Sequence, residues 1–430
     1  MIGFLLELGT SLKSETRQLL SSLGRSIKIQ ETLGWIGIEN GRTFNHEIEN
    51  LPVPATVVVY FGDEPDKTYQ LIQWLPVLEQ LNQKHPVVLL FRRVESFRMM
   101  QRHTDLPRIF VRRFSSLMDL YEDNRYQLVI YVNNSRTNFQ SLEHPRPVHV
   151  HVNHGESDKV SMVSNKAKAY DRVFVAGPAA IDRHRQRLID FGLDKLLVTG
   201  RPQLDIEFDP LVEPSNRKTV MYAPTWQGEN EDNNYTSMDL YGREIVQALL
   251  ADPGNRVIYK PHPRILDTRD LEVKAAHEAI CSLIAKANSV GADHEFFDSG
   301  NILAMFDSVD AMITDVSSVG LDFLYLCPEK PLILTDRRQN EDQLAIDAPI
   351  SRSCPIINLV TKESLGSLLP VWIEDDEMAR MRLESREFYF GNLKRGESTR
   401  KFFEQISSLI AERQDKISGY RAWHPTIESE

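Results

Sequence analysis

Cysteine is scarce: Cys281, Cys327 and Cys354 are the only three in 430 residues, and their spacing is neither paired nor metal-like. A disulfide framework or zinc knuckle is therefore not expected, and the thiols read as reduced, as in the cytosol. No uncharged apolar run reaches the roughly 18 residues that a membrane span needs. The start, Met1-Ile-Gly-Phe-Leu-Leu-Glu-Leu-Gly9, lacks the positive stretch of a signal peptide and carries Glu7 inside its apolar run. Glycine and proline are not in excess, at 21 and 22, and no low-complexity tract occurs, which excludes collagenous and disordered classes. Positive charge is in deficit. With 50 Lys+Arg against 61 Asp+Glu the net charge is −11, which argues against a general nucleic-acid binder. Metal-ligand spacing, a Gly-x-Ser-x-Gly elbow and a Walker lysine loop are all missing.

What remains is a globular composition, 41% apolar and 26% charged, on a chain long enough for two or three domains. Residues 1–25 place Leu5, Leu8, Leu12, Leu19 and Leu23 at amphipathic helical spacing, suited to packing on a core or lying on a membrane surface. From Thr56 onward, short apolar runs alternate with helical periods. The runs are 56–61, 86–91, 108–111, 127–132, 148–152, 172–176 and 196–199. A proline-marked polar stretch through Pro202, Pro210 and Pro214 reads as a linker, and the alternation restarts at 219–223, 256–259, 295–297, 311–313, 331–334 and 356–360. Strands this short and apolar, separated by helices, predict parallel sheets covered on both faces. The expected architecture is α/β: a Rossmann-like domain over 1–210, a second over 216–395, and a helical segment over 396–430. Two such domains place a cleft between the carboxyl edges of their sheets.

The polar motifs fall at strand ends. His151-Val-Asn-His-Gly-Glu-Ser-Asp-Lys159 closes one strand. Gly155 lets the chain turn sharply, and a histidine there suits proton abstraction from an alcohol. Pro224 stiffens the exit of Met221-Tyr-Ala-Pro-Thr-Trp226, where Thr225 can bond an anion or cap the next helix. Tyr259-Lys-Pro-His-Pro-Arg264 holds its backbone extended by two prolines and offers Lys260, His262 and Arg264 as cations for a phosphate. Asp315-Val-Ser-Ser318 follows the apolar run 311–314 and precedes a helical period at Val319, Phe323 and Leu326, so a helix should start at the serines. Free N–H groups and a positive dipole end at that point make an anion site, to which Ser317 and Ser318 add hydroxyls. Separately, residues 91–114 carry seven arginines against Glu95 and Asp105. This is either a solvated basic face or a contact for an anionic acceptor or an acidic membrane leaflet.

Taken in order, His-Gly…Lys, Ala-Pro-Thr-Trp, Lys-Pro-His-Pro, Thr-Asp-x-Ser-Ser-x-x-x-Asp-Phe and Lys-Pro over roughly 145–340 resemble the CDP-glycerol glycerophosphotransferase family of teichoic-acid-type primases and polymerases. The resemblance implies a GT-B fold, with the acceptor on the N-terminal domain and a CDP-glycerol or other CDP-polyol donor on the C-terminal one. It also implies release of CMP, a lipid-linked or polymer acceptor, and a cytoplasmic enzyme resting on the membrane; beyond the CDP-polyol donor no cofactor is expected, and no metal-ligating residues are assigned. His154 would be the acceptor's base and His262 would bind the donor phosphates or assist CMP departure. Ser317 and Ser318 would hold the pyrophosphate, while Gly155, Lys159, Thr225, Lys260, Arg264, Asp315 and Asp322 would line the site. The chain departs from the family pattern at four places. Val316 stands where Tyr is usual, Gln227 where Arg is usual, Gly200-Arg-Pro-Gln-Leu-Asp205 for Gly-x-Pro-Arg-x-Asp, and Glu156-Ser-Asp158 for Thr-Pro-Leu. These bear on the polyol and the acceptor, so ribitol phosphate, another polyol phosphate or a capsular sugar acceptor stay open. A GT-B glycosyltransferase using a nucleotide-sugar is the second reading, and its released nucleoside diphosphate would distinguish it.

Overall fold

Every short apolar run named from residue 56 onward becomes a strand in the computed structural model, which describes residues 53–423. The amphipathic helix expected over residues 1–25 lies outside the described residues. The first seven strands are Val57–Phe61 (β1), Val87–Phe91 (β2), Arg108–Phe110 (β3), Leu128–Tyr131 (β4), Val148–His151 (β5), Arg172–Val175 (β6) and Leu196–Val198 (β7). They form one parallel sheet in the order β3-β2-β1-β4-β5-β6-β7. The next six are Lys218–Ala223 (β8), Asn255–Tyr259 (β9), Glu295–Phe296 (β10), Ala311–Thr314 (β11), Leu332–Thr335 (β12) and Ile356–Ile357 (β13). They form a second parallel sheet, ordered β10-β9-β8-β11-β12-β13. The last strand is shorter than its apolar run because the Asn358 carboxamide accepts from the N–H groups of Val360 and Thr361 and turns the chain away.

The longer helices are Leu75–Asn82 (α1), Phe114–Asn124 (α2), Pro178–Arg187 (α3), Arg243–Ala251 (α4), Leu271–Asn288 (α5), Ser318–Leu326 (α6), Leu365–Glu374 (α7), Ala379–Phe390 (α8) and Glu397–Trp423 (α9). Period-two alternation splits each strand between two cores. Val57, Val59 and Phe61 pack with Leu89, Leu128 and Ile130 on one face, and Val58 and Tyr60 with Val88, Leu90 and Tyr131 on the other. In the second sheet Val220 and Tyr222 meet Ile245 and Val246 of α4, while Met221 and Ala223 meet Leu321 and Phe323 of α6. Each fully buried side chain of this kind contributes about 1.5–3 kcal/mol. The chain's last helix returns to its first sheet: Phe402, Ile406 and Leu409 of α9 lie in the core beneath β1 and β4. Between the sheets, α8 joins the same buried cluster as Ala176 and Ala179 at the start of α3. Strand order reverses between β1 and β4 and again between β8 and β11, and the polar motifs emerge at these carboxyl edges.

Candidate active site

β5 ends at His151, and the chain then turns through Asn153, whose φ of 57° lies in the left-handed region that asparagine tolerates. Two bonds hold that turn. The Asn153 carbonyl accepts from the Trp74 indole at 2.7 Å, and its side-chain oxygen accepts from the His154 N–H at 2.9 Å. Gly155 comes next, where a Cβ would stand 3.1 Å from the Cβ of Ser318, so the His-Gly turn lies directly against the start of α6. Nδ1 of His154 is shielded from solvent and has no partner. Burial, with Arg201 and Lys159 nearby, pushes the imidazole down to about 4, so it is neutral at pH 7.

The second domain presents three strand ends. After β8, the Thr225 hydroxyl accepts from Lys159 Nζ at 3.0 Å, a bond that crosses the cleft. Burial lowers Lys159 to about 8, with Asp315 drawing it the other way. After β9, the His262 N–H donates to the Pro224 carbonyl at 3.1 Å, and His262 Nδ1 accepts from the Arg264 N–H at 3.2 Å. An acceptor at Nδ1 places the neutral ring's proton on Nε2. The expectation of a cationic His262 is corrected: burial and the charges of Lys159, Arg264 and Lys260 push it down to about 3. Lys159, brought over from the other domain, takes that place among the cations. Lys260 is itself buried and lowered by burial. Arg264 lies 4.3 Å from the Trp226 ring centroid and pairs with Asp66 of the first domain at 2.8 Å.

After β11, the helix starts where the serines predict, with Ser317 at the N-cap position. Its hydroxyl makes no cap bond; Oγ is buried and unpartnered, and the first N–H groups of α6 carry no side-chain cap. Asp315, expected to touch substrate, is turned inward instead. It has no exposed surface, and its carboxylate accepts from the Thr225 N–H at 2.6 Å and the Thr335 hydroxyl at 2.7 Å, joining the ends of β8, β11 and β12. Asp322 likewise stands behind the cleft, paired with Arg201 at 2.8 Å across the domain boundary.

Periodicity did not single out Tyr69. It lies on a single helical turn, Tyr69–Ile72, after β1, and its ring stands edge-on to both His154 and His262, with centroids 6.0 and 6.1 Å away. One signal was available: in a doubly wound sheet the segment after β1 emerges at the carboxyl edge beside the strand-order reversal. Asp66, three residues earlier, makes the Arg264 pair.

The family departures also find places. Glu156 and Asp158 both pair with Arg183 of α3, and Asp158 accepts a second bond from the Tyr389 hydroxyl of α8. Burial raises Asp158 to about 7 even though Tyr389 donates to it. Gln203 is buried beside Arg201, Val316 is buried in the core around α6, and Gln227 donates to the Thr268 hydroxyl at 2.6 Å. In the arginine-rich stretch, Arg92 donates to the carbonyls of Val111, Arg112 and Arg113, and Arg93 pairs with Glu64. Arg102, Arg112 and Arg113 are exposed, and Phe114, which follows Arg113 in the chain, is 41% exposed. Among the described residues there is no metal-binding cluster of His, Cys, Asp or Glu, and no helix is long and apolar enough to cross a membrane.

Residues 130–341 match the family model described as CDP-Glycerol:Poly(glycerophosphate) glycerophosphotransferase. No curated protein matches the chain. Among solved structures, a protein from Listeria monocytogenes assigned as a UDP-N-acetylglucosamine 2-epimerase superposes with a TM-score of 0.56 at 12% identity, covering 83% of this chain and 96% of that one. A glycosyltransferase from Rickettsia africae gives 0.51 at 12% identity over 83% and 99%. The wall teichoic acid polymerase TagF gives 0.51 at 15% identity over 94% and 100%. At these identities what is shared is the fold, and that fold is GT-B.

Proposed function

Since this chain belongs, through residues 130–341, to the CDP-glycerol:poly(glycerophosphate) glycerophosphotransferase family of enzymes, we propose that it moves a polyol-phosphate unit from a CDP-activated donor to an acceptor hydroxyl and releases CMP. The observation that carries this reading is the meeting of the two histidine motifs, one from each domain, on the ring of Tyr69. The donor's pyrophosphate sits at the start of α6, where the Ser317 hydroxyl lacks a partner and no side chain caps the first N–H groups. Lys159, Lys260 and Arg264 supply positive charge around it. His262 is neutral with its proton on Nε2, and donates that hydrogen to a phosphate oxygen.

The acceptor hydroxyl attacks the polyol-bearing phosphorus. A new P–O bond forms to the acceptor, the anhydride bond breaks, and CMP leaves with the bridging oxygen. The hydroxyl's proton passes to neutral His154, late in a largely dissociative transition state. His154's low pKa makes it a weak base in the free enzyme; the negative pyrophosphate, once bound nearby, raises it. The acceptor is a lipid-linked chain or growing polymer of teichoic-acid or capsular type, and the enzyme rests on the cytoplasmic face of the membrane through the arginines around 92–113.

Incubation with a panel of CDP-polyols and nucleotide-sugars, with the nucleotide product identified, tests this reading. CMP from a CDP-polyol is the expected product. Release of a nucleoside diphosphate from a nucleotide-sugar would instead make the protein a glycosyltransferase.

A further inference from the structure

Behind the His154 turn, at the carboxyl ends of β5, β6 and β7, lies a cavity that the reaction just described leaves unused. Gly155 forms part of its wall, so it borders the place where His154 meets the donor helix. Three of its lining side chains are nine-tenths or more buried and each keeps a polar atom without a partner. These are Nε2 of His151, Nε of Arg183 and Nε2 of Gln203, from β5, α3 and the loop after β7. Buried nitrogens left unpaired are costly, and three of them on residues that line one cavity from separate elements point to a ligand.

The charges indicate which ligand. Arg183 is already neutralised by Glu156 and Asp158, and the neighbouring Arg201 by Asp322. Burial keeps His151 neutral, at about 3. A phosphate would find donors here but no uncompensated positive charge. A hydroxyl both donates and accepts, which matches an amide N–H, a guanidinium N–H, a neutral imidazole and the Glu156 carboxylate. Trp74 gives the wall an apolar face for C–H groups. The water-accessible volume is about 30 Å³. That is room for roughly two water-sized groups, the carbon and oxygen of one hydroxymethyl, and too little for a nucleotide.

We propose that this cavity is an acceptor subsite for a neutral, hydroxyl-bearing end group, a polyol or sugar unit. It holds one hydroxymethyl arm so that a neighbouring hydroxyl is presented to His154. The proposal rests on the reading that the first domain binds the acceptor, and it adds the class of end group and the residues that select it.

Glycerol and inorganic phosphate serve as probes, in saturation-transfer NMR on the full chain. Glycerol should receive saturation from the wild-type protein, and phosphate should not displace it. Gln203→Met and His151→Phe should each weaken glycerol binding roughly tenfold or more, because their hydrogen-bonding atoms are gone. Affinity for CDP-glycerol, measured by calorimetry on the same samples, should be unchanged, which also shows that the variants are folded. No transfer to glycerol from the wild type, an undiminished signal in both variants, or displacement by phosphate would each overturn the subsite; the wild-type measurement depends on no variant. Assay of CMP release across the CDP-polyol panel separates the two readings. Glycerol binding without CMP release overturns the reaction and leaves the subsite standing, and the converse result does the opposite.

Discussion

His154 is held as a neutral imidazole by burial and by two cations, Arg201 and Lys159, so it is unprotonated at pH 7 but a weak base until an anion binds nearby. Replacing it with Ala should leave calorimetric affinity for CDP-glycerol intact while transfer falls by roughly 10²-fold or more. Near-normal turnover at saturating substrates would remove it from the base role. The carboxylates next in reach are poor substitutes, since Asp158 and Asp322 are each tied to an arginine. His262→Ala should damage donor affinity as well as turnover, because His262 sits among the cations proposed to hold the donor. Lys159 adds a pH dependence whose sign is fixed by its lowered pKa of about 8. As pH rises through that value the free enzyme loses a cation from the donor site, so kcat/KM for the donor should fall. In Lys159→Met that limb should disappear. A wild-type donor profile that stays flat across about pH 8 would show that Lys159 does not hold the donor.

At the scale of elements, α6 has two jobs that its sequence keeps apart. Leu321, Phe323 and Leu324 bury its body in the second domain's core, while its first turn leaves the Ser317 hydroxyl and backbone N–H groups unspent. The double variant Ser317→Ala/Ser318→Ala should therefore fold normally. It should also weaken CDP-glycerol or CMP binding by about 1–3 kcal/mol, the loss expected for hydrogen bonds to a charged group. Unchanged calorimetric affinity would place the pyrophosphate elsewhere. The strand ends around α6 are fixed from inside by Asp315, whose two oxygens bind the β8 exit and β12. That carboxylate is kept buried even though burial raises its pKa to about 6. Its contribution is to position Thr225 and, through Thr225, Lys159.

Over the whole molecule, the two domains are joined by pairs of unequal character. Arg264–Asp66 is partly exposed and contributes little, whereas Arg201–Asp322 and the Asp158–Arg183–Tyr389 group are buried. Removing one partner of a buried pair strands a charge, so these contacts hold the cleft walls in register more firmly than exposed pairs could. The chain's outer surface has its own asymmetry, because Arg102, Arg112, Arg113 and Phe114 are all exposed within one short stretch of a protein of net charge −11. If this face meets an anionic membrane, sedimentation with acidic liposomes should be strong at low salt and fall steeply as salt screens the arginines. No binding to such liposomes at low salt would exclude it.

The sequence by itself determined the strands, the parallel sheets and the placing of the polar motifs at strand ends. Short apolar runs and the prolines, glycines and serines that close them act locally, over a few residues. The positions of His154, Thr225, His262 and Ser317 just past strand ends were legible for that reason, and so was the helix start at Ser318. Tertiary structure alone decided which distant groups meet and what burial does to them. Asp66 and Tyr69 reach the donor motif across the domain boundary, and Glu156 and Asp158 meet an arginine on α3 and a tyrosine on α8. His262 loses its charge and Asp315 turns inward because ionisation depends on dielectric and neighbouring charge, which no local spacing records. The cavity behind His154 is hidden for the same reason: it is the space left where three separate elements fail to touch.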